Sequence, residues 1–170
     1  MPTRAEDRFR QAEADLRHAR HALEDGDYEW SCFAAQQAAE KAAKAVYQHH
    51  HLEGWGHTTS LLLGNLPEPL RPGDGLLDLA KTLDKHYIFT RYPNGFEVGA
   101  PTDFYTRAEA EHAISISERI LAFCHDQIRW SRHDRTGGAC AGRTLGRHAP
   151  GGGGSNLVRL VGPRGLGSGQ

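Results

Sequence analysis

Arg107 and His112 stand with four residues between them in the stretch YTRAEAEHAI, where a helical pattern begins. A histidine placed beside a ribose hydroxyl can act as a general base. An arginine can stabilise charge developing on the neighbouring phosphate. The pair is therefore a candidate for RNA cleavage without a metal. Chance also produces such pairs: with sixteen arginines and eleven histidines, random placement yields roughly three matches to R-x4–6-H. Three are present, namely Arg107/His112, Arg119/His125 and Arg143/His148. At 100° per residue, Arg107 lies half a turn from the apolar Ile116, as a solvated first-turn arginine would. His112 falls about 40° from Ile116, which predicts a partly buried packing histidine.

A second group of residues could hold a ligand. Arg91 sits between Tyr87 and Tyr92 and precedes a Pro-Asn-Gly turn. Arginine can grip a phosphate with two parallel hydrogen bonds, and tyrosine can stack on a base. The structural alternative has Arg91 bonding final-turn carbonyls while the tyrosines fill the end of the fold. Lys41 and Lys44, with Glu40 adjacent, could face a phosphate or be plain surface charge. HHHLEGWGH gathers four histidines near one helix end. Consecutive histidines on a helix diverge by about 100° and cannot converge on one metal, and no carboxylate or cysteine completes a familiar set. No metal site is expected there, and the helix end is expected to fray. His57 can cap or orient the next segment.

These residues need a scaffold, and the chain spells out helices. Thr3 and Glu6 form an S/T-x-x-E capping box. Ala5, Phe9, Ala12, Leu16, Ala19 and Leu23 then recur in steps of four and three, and Gly26 closes the helix. Asp27 is placed to cap a second helix, whose buried stripe is small: Cys32, Ala35, Ala39, Ala42 and Val46. Small side chains allow close approach, so this helix is expected to be central. A short third helix begins near Thr58. Leu76, Leu79, Leu83 and Tyr87 mark a fourth, stopped near RYPN because Pro93 disfavours helical geometry at Tyr92. A last long helix from about Tyr105 to Trp130 carries Ala113, Ile116, Ile120, Phe123 and Ile128. No stretch alternates with period two. The expected fold is all-α: an antiparallel up-down four-helix bundle over residues 4–130, with one additional short helix.

Residues 131–170 are different in kind. They hold twelve of the twenty glycines, and six arginines against one aspartate. So little apolar bulk cannot offset the entropy of ordering, which predicts a disordered tail. The bundle is correspondingly acidic, which argues against broad nucleic-acid binding by its surface. The cysteines Cys32, Cys124 and Cys140 show no C-x-x-C spacing. The charged opening MPTRAEDRFRQAEADLRHAR has no secretory pattern, and no apolar run reaches membrane-spanning length. A cytoplasmic protein with no membrane partner is expected.

Three stretches together resemble the HEPN family of small helical domains. They are CFAAQQAAEKAAKAV, HTTSLLLGNLP and LDKHYIFTRYPNGFEVGAPTDFYTRAEAEHAISISERIL, and the resemblance covers about residues 7 to 127. It implies a homodimer, often paired with a minimal nucleotidyltransferase in a toxin–antitoxin arrangement. It also implies that some members are metal-independent RNases using R-x4–6-H, while others only bind nucleotides or proteins. The extended RNase motif places a tyrosine two residues after its histidine; here that position is Ile114. The leading expectation is therefore a non-catalytic or weakly catalytic module, with no cofactor. It would bind a nucleotide, or a nucleotidyltransferase partner, through Arg91, Tyr87, Tyr92, Lys41, Lys44 and His57. The alternatives are an RNase toxin acting on RNA through Arg107 and His112, and a purely structural dimer.

Overall fold

The computed structural model describes residues 3–136, with side chains through residue 129. Thr3 starts α1 (Arg4–Asp25) with the expected box: its hydroxyl accepts from Glu6 N at 3.2 Å, and its own N–H donates to Glu6 Oε2 at 2.9 Å. Gly26 ends the helix at φ 90°, left-handed backbone that an L-residue adopts only with strain. The chain then turns directly into α2 (Tyr28–His49). Asp27 precedes α2 but makes no side-chain cap bond, contrary to expectation. Its carbonyl accepts from Ser31 N at 2.9 Å instead, so the turn itself starts the helix.

α2 touches every other α-helix of the described fold. All five residues of its predicted stripe are fully buried. The alanines let α1 and α6 (Arg107–Thr136) come so close that hydroxyls bridge the backbones. Ser31 donates to Ala19 O on α1 at 2.7 Å, and Ser117 of α6 donates to Ala35 O at 2.8 Å. Each bond satisfies a hydroxyl that would otherwise be buried at a cost of about 1–3 kcal/mol.

The histidine-rich end of α2 does not fray. His50 N–H donates to Val46 O at 3.1 Å, and Leu52 N–H donates to Tyr47 O at 2.8 Å across His51, which adopts φ 57°. Tyr47 is buried, with its hydroxyl on Leu62 O at 2.7 Å, and its ring lies flat against Gly54. A Cβ on Gly54 would sit 2.8 Å from Tyr47 Cγ, so only glycine fits this crossing.

α3 (Thr59–Gly64) is the expected short helix, but its start is capped from afar. Asp84 accepts from Thr59 N at 2.6 Å and from Ser60 N at 3.0 Å. A carboxylate there also favours the positive end of the helix dipole. The fourth helix is broken at Lys85 into α4 (Asp74–Asp84) and α5 (His86–Phe89). Tyr92 is extended (φ −127°, ψ 131°), as the following Pro93 requires.

Thr106 and Glu109 start α6 with a second capping box, so the helix begins at Arg107 rather than Tyr105. The architecture is all-helical, and among the described residues there is no strand. No helix among them is long and apolar enough to cross a membrane. α6 is described through Thr136, beyond Trp130. The tail expected to be disordered lies, from residue 137 on, outside the described residues.

Candidate functional site

The fold brings Arg91, Tyr87, Tyr92 and His57 together at one end of the bundle. α5 is only one turn long, and Thr90 closes it by donating its hydroxyl to His86 O at 2.6 Å. Arg91 folds back on that turn: Nε and Nη2 donate to Tyr87 O at 3.1 and 2.7 Å. Its guanidinium also lies over three rings, 4.5 Å from the centroid of Phe33, 4.9 Å from Tyr87 and 5.2 Å from Tyr92. The carbonyl bond foreseen for Arg91 is present, but Tyr92 is 48% exposed rather than filling the end of the fold, and the guanidinium charge is not neutralised. No carboxylate pairs with it among the described residues, and its other N–H groups have no partner there.

Tyr87 extends the stack, lying 5.0 Å from the His57 ring at an interplanar angle of 10°. His57 Nδ1 lies 3.1 Å from Glu40 Oε1, which also accepts from Lys44 Nζ at 2.8 Å. Gln36, fully buried, holds the loop by donating to His57 O at 3.0 Å. Glu40 itself is 5% exposed, and its other oxygen accepts from Gln36 Nε2 at 3.4 Å and Gln37 Nε2 at 3.3 Å. The stack and the ion pair form one continuous chain from Arg91 to Lys44. Lys41 stays outside it and pairs with Asp15 of α1. Both lysines line a cleft between α1 and α2, and Lys41 also borders a second one with Trp30 and Phe33.

Around Arg91 the surface is apolar. Trp30, Ile88, Phe89 and Tyr92 are each close to half exposed. Trp30 meets Phe33 edge-on at 6.0 Å, so the ring that carries the guanidinium continues into an exposed one. Phe33 is a site residue that the sequence reading missed. It belongs to α2 and joins Arg91 only when α5 packs across that helix.

The other candidate pair is placed less favourably. Arg107 is the first residue of α6, with its guanidinium 5.6 Å from the Tyr28 ring and 3.7 Å from Glu111. It is a solvated first-turn arginine, 55% exposed and tied to its own helix. His112 is exposed, which corrects the expectation of a packing histidine. Ile116 proves to be at the margin of the buried arc, whose centre runs through Ala110, Ser117 and Cys124. His112 therefore projects away from the core. Its charge is felt at His86, whose pKa is lowered. Burial is the main cause, opposed by Glu109 and reinforced by His112 and Lys85. His86 Nδ1 lies 3.4 Å from the Tyr105 hydroxyl. Burial, with help from Cys32 and Glu109, pushes that phenol up to about 12.

The two described cysteines are buried free thiols. Burial, then Glu109 and Glu29, push Cys32 up to about 12, and burial alone raises Cys124. Neither can supply a thiolate at neutral pH. Among the described residues no three histidine, cysteine or acidic side chains gather to hold a metal ion.

Comparison with known proteins agrees with this architecture. A family model for the HEPN domain matches residues 5–127. A curated protein of Methanocaldococcus jannaschii, named "Putative toxin MJ1304", is 27% identical over 130 residues, covering 71% of this chain and 86% of that protein. The crystal structure of TT1696 from Thermus thermophilus superimposes with a TM-score of 0.72 at 45% identity, over 74% of this chain and 99% of that one. ST0689, an archaeal HEPN homologue, gives 0.64 at 41% identity over 75% and 99%. A HEPN domain protein of Thermotoga maritima gives 0.59 at 37% over 72% and 98%.

Proposed function

Because the chain belongs to the HEPN domain family, we propose that it is the HEPN half of a toxin–antitoxin-like pair, a homodimer that binds a minimal nucleotidyltransferase through Arg91. The observation that carries this reading is the uncompensated guanidinium, clasped by Phe33, Tyr87 and Tyr92. Arginine and aromatic residues are the types that dominate protein interfaces. Here the cation is already oriented by Tyr87 O, so a partner carboxylate meets N–H groups that lose little freedom on binding. The exposed Trp30, Ile88 and Phe89 supply the surrounding apolar contact. The toxin name of the Methanocaldococcus relative supports placing the chain in such a pair.

The test is capture of the nucleotidyltransferase encoded beside this chain, with wild type and Arg91→Gln compared. Wild type should retain the partner, and Arg91→Gln should weaken retention at least tenfold with its helical signal intact. Equal capture by both, or none by wild type, rejects the reading. Light scattering should report twice the 18.7 kDa chain mass.

Endoribonuclease activity through Arg107 and His112 is the second reading. It is favoured by the exposure of both side chains on one turn-and-a-half of α6. It requires RNA cleavage in the presence of chelator that His112→Ala abolishes. Cleavage that survives this substitution excludes it.

A further inference from the structure

A cleft of about 450 Å³ runs between α1 and α2, walled by these two helices alone. Four cations line it: Arg4, Arg8, Lys41 and Lys44. Two of them are spent within the fold. Lys41 is matched by Asp15, and Lys44 by Glu40, which also holds His57. Asp7, the remaining acid on the walls, pairs with Arg10 at 2.8 Å. Arg4 and Arg8 are left with no acidic partner among the described residues.

A smaller cleft of about 250 Å³ continues from it, sharing Arg8, Lys44 and Gln48. Its wall includes the loop after α2, where Trp55 is 85% exposed. That loop is tied at its root: Leu52 N–H donates to Tyr47 O, and the backbone at Gly54 lies on the Tyr47 ring. A fixed backbone therefore presents the indole to solvent, with Nε1 donating to Glu53 at 3.4 Å. A large apolar ring left so bare forgoes the stabilisation that burial gives. Where the clefts meet, Gln48 Oε1 is buried with no hydrogen-bond partner among the described residues. An orphaned acceptor of this kind is costly until a donor reaches it.

We infer that these joined clefts bind an acidic segment of another protein in extended form. Carboxylates at alternate positions are taken by Arg4 and Arg8, a backbone N–H by Gln48 Oε1, and an apolar side chain by Trp55. The spacing fits. Arg4 and Arg8 are one helical turn apart, about 6 Å along α1, and alternate side chains of an extended chain repeat at about 6.7 Å. Each guanidinium can grip a carboxylate with two parallel hydrogen bonds, and an extended peptide carries a free N–H at nearly every residue. The charge pattern favours a peptide over a nucleic-acid strand. Asp7, Glu40 and Glu53 stand among the cations of the two clefts. A strand charged at every unit needs many cationic contacts, whereas a peptide sets acids opposite Arg4 and Arg8 and neutral residues beside Glu53. The site shares none of the residues proposed to hold the nucleotidyltransferase, so its failure would leave that reading untouched.

The experiment is fluorescence anisotropy of labelled, end-capped heptapeptides with the full chain at low salt. LTETETS carries the alternating acids and the apolar residue, and LTKTKTS reverses its charge. LTEETTS keeps the composition but sets the acids side by side, and ATETETS lacks the large apolar side chain. LTETETS should bind saturably and LTKTKTS should not. LTEETTS and ATETETS should each bind at least threefold more weakly than LTETETS. Arg8→Gln should weaken LTETETS about tenfold, the loss expected for one charge-assisted pair. Trp55→Ala should weaken it about fivefold and remove its advantage over ATETETS. Arg119→Gln, the same charge loss on the exposed face of α6, should change binding less than twofold. A short oligoadenylate is titrated alongside. The proposal is overturned if LTETETS does not bind, or if LTKTKTS or the oligoadenylate binds as tightly. It is also overturned if Arg8→Gln and Trp55→Ala, checked for unchanged helicity, bind LTETETS like wild type.

Discussion

Arg91 and Arg107 are the same side chain near opposite ends of one loop; each lies over an aromatic ring, but they differ in burial, in the number of rings and in whether an acid is at hand. Arg91 is partly buried, bonded to a carbonyl of its own turn, laid over three rings and left without an acid. Arg107 is exposed, and Glu111 shares its charge. A cation on aromatic faces with no counterion keeps most of its electrostatic pull for a ligand. A solvated cation beside a carboxylate is largely spent, and such exposed pairs contribute under about 1 kcal/mol. Motif spacing selected Arg107, whereas neighbours select Arg91.

The sharpest way to break this contrast acts on the support of the Arg91 end. Glu40→Ala removes the acceptor beneath His57 and leaves the Lys44 ammonium, 17% exposed, without its partner. A loss of about 3 kcal/mol is expected from stranding a charge in this way, measured by urea denaturation. Arg91→Gln should cost about 1–2 kcal/mol, from the lost carbonyl bond and ring contacts. Gly26→Ala should cost about 1 kcal/mol through left-handed strain, independently of either end. Arg107→Gln should change stability by less than about 0.5 kcal/mol. If Arg107→Gln proves as costly as Arg91→Gln, the distinction between the two ends is wrong.

Acid sharpens the comparison further. His86, beside the start of α6, has a folded pKa below its unfolded value of 6.5. The folded state therefore resists the proton that the unfolded chain accepts. Its contribution is complete above pH 6.5 and is lost as pH falls through the lowered folded pKa. Thermal melts of wild type should fall through that window, and those of His86→Gln should fall less. Equal pH slopes would remove His86 from the account.

Much of the scaffold was legible. The Thr3–Glu6 box, the Gly26 stop and the alanine stripe of α2 depend on local bonding and on helical period, which sequence displays directly. The Thr106–Glu109 box was equally visible in TRAE, and would have placed Arg107 at the first helical position. The Asp84 cap on α3 was not legible, because it joins residues 25 apart in the chain. Arg91, Tyr87, Tyr92 and His57 were singled out by residue type, but how Lys44 joins them through Glu40 while Lys41 turns to Asp15 was hidden. Which carboxylate neutralises which ammonium depends on how α1 lies on α2. His112 was misjudged because one apolar residue, Ile116, marks only the edge of a buried arc.

The amino-acid order alone settled that this chain makes helices, where most of them stop, and which faces close on each other, because burial of apolar rows follows from spacing. Tertiary structure decided which charges remain unspent. Arg10 and Arg107 take acids three and four residues away on their own helices, as spacing allows. Arg20 reaches Glu118 of α6, and Lys41 reaches Asp15 of α1, only because folding brings those helices together, and Arg91 meets Phe33 for the same reason. Coulomb energy depends on the distance between charges and on the water excluded around them, and between helices neither is written in the spacing of residues along the chain.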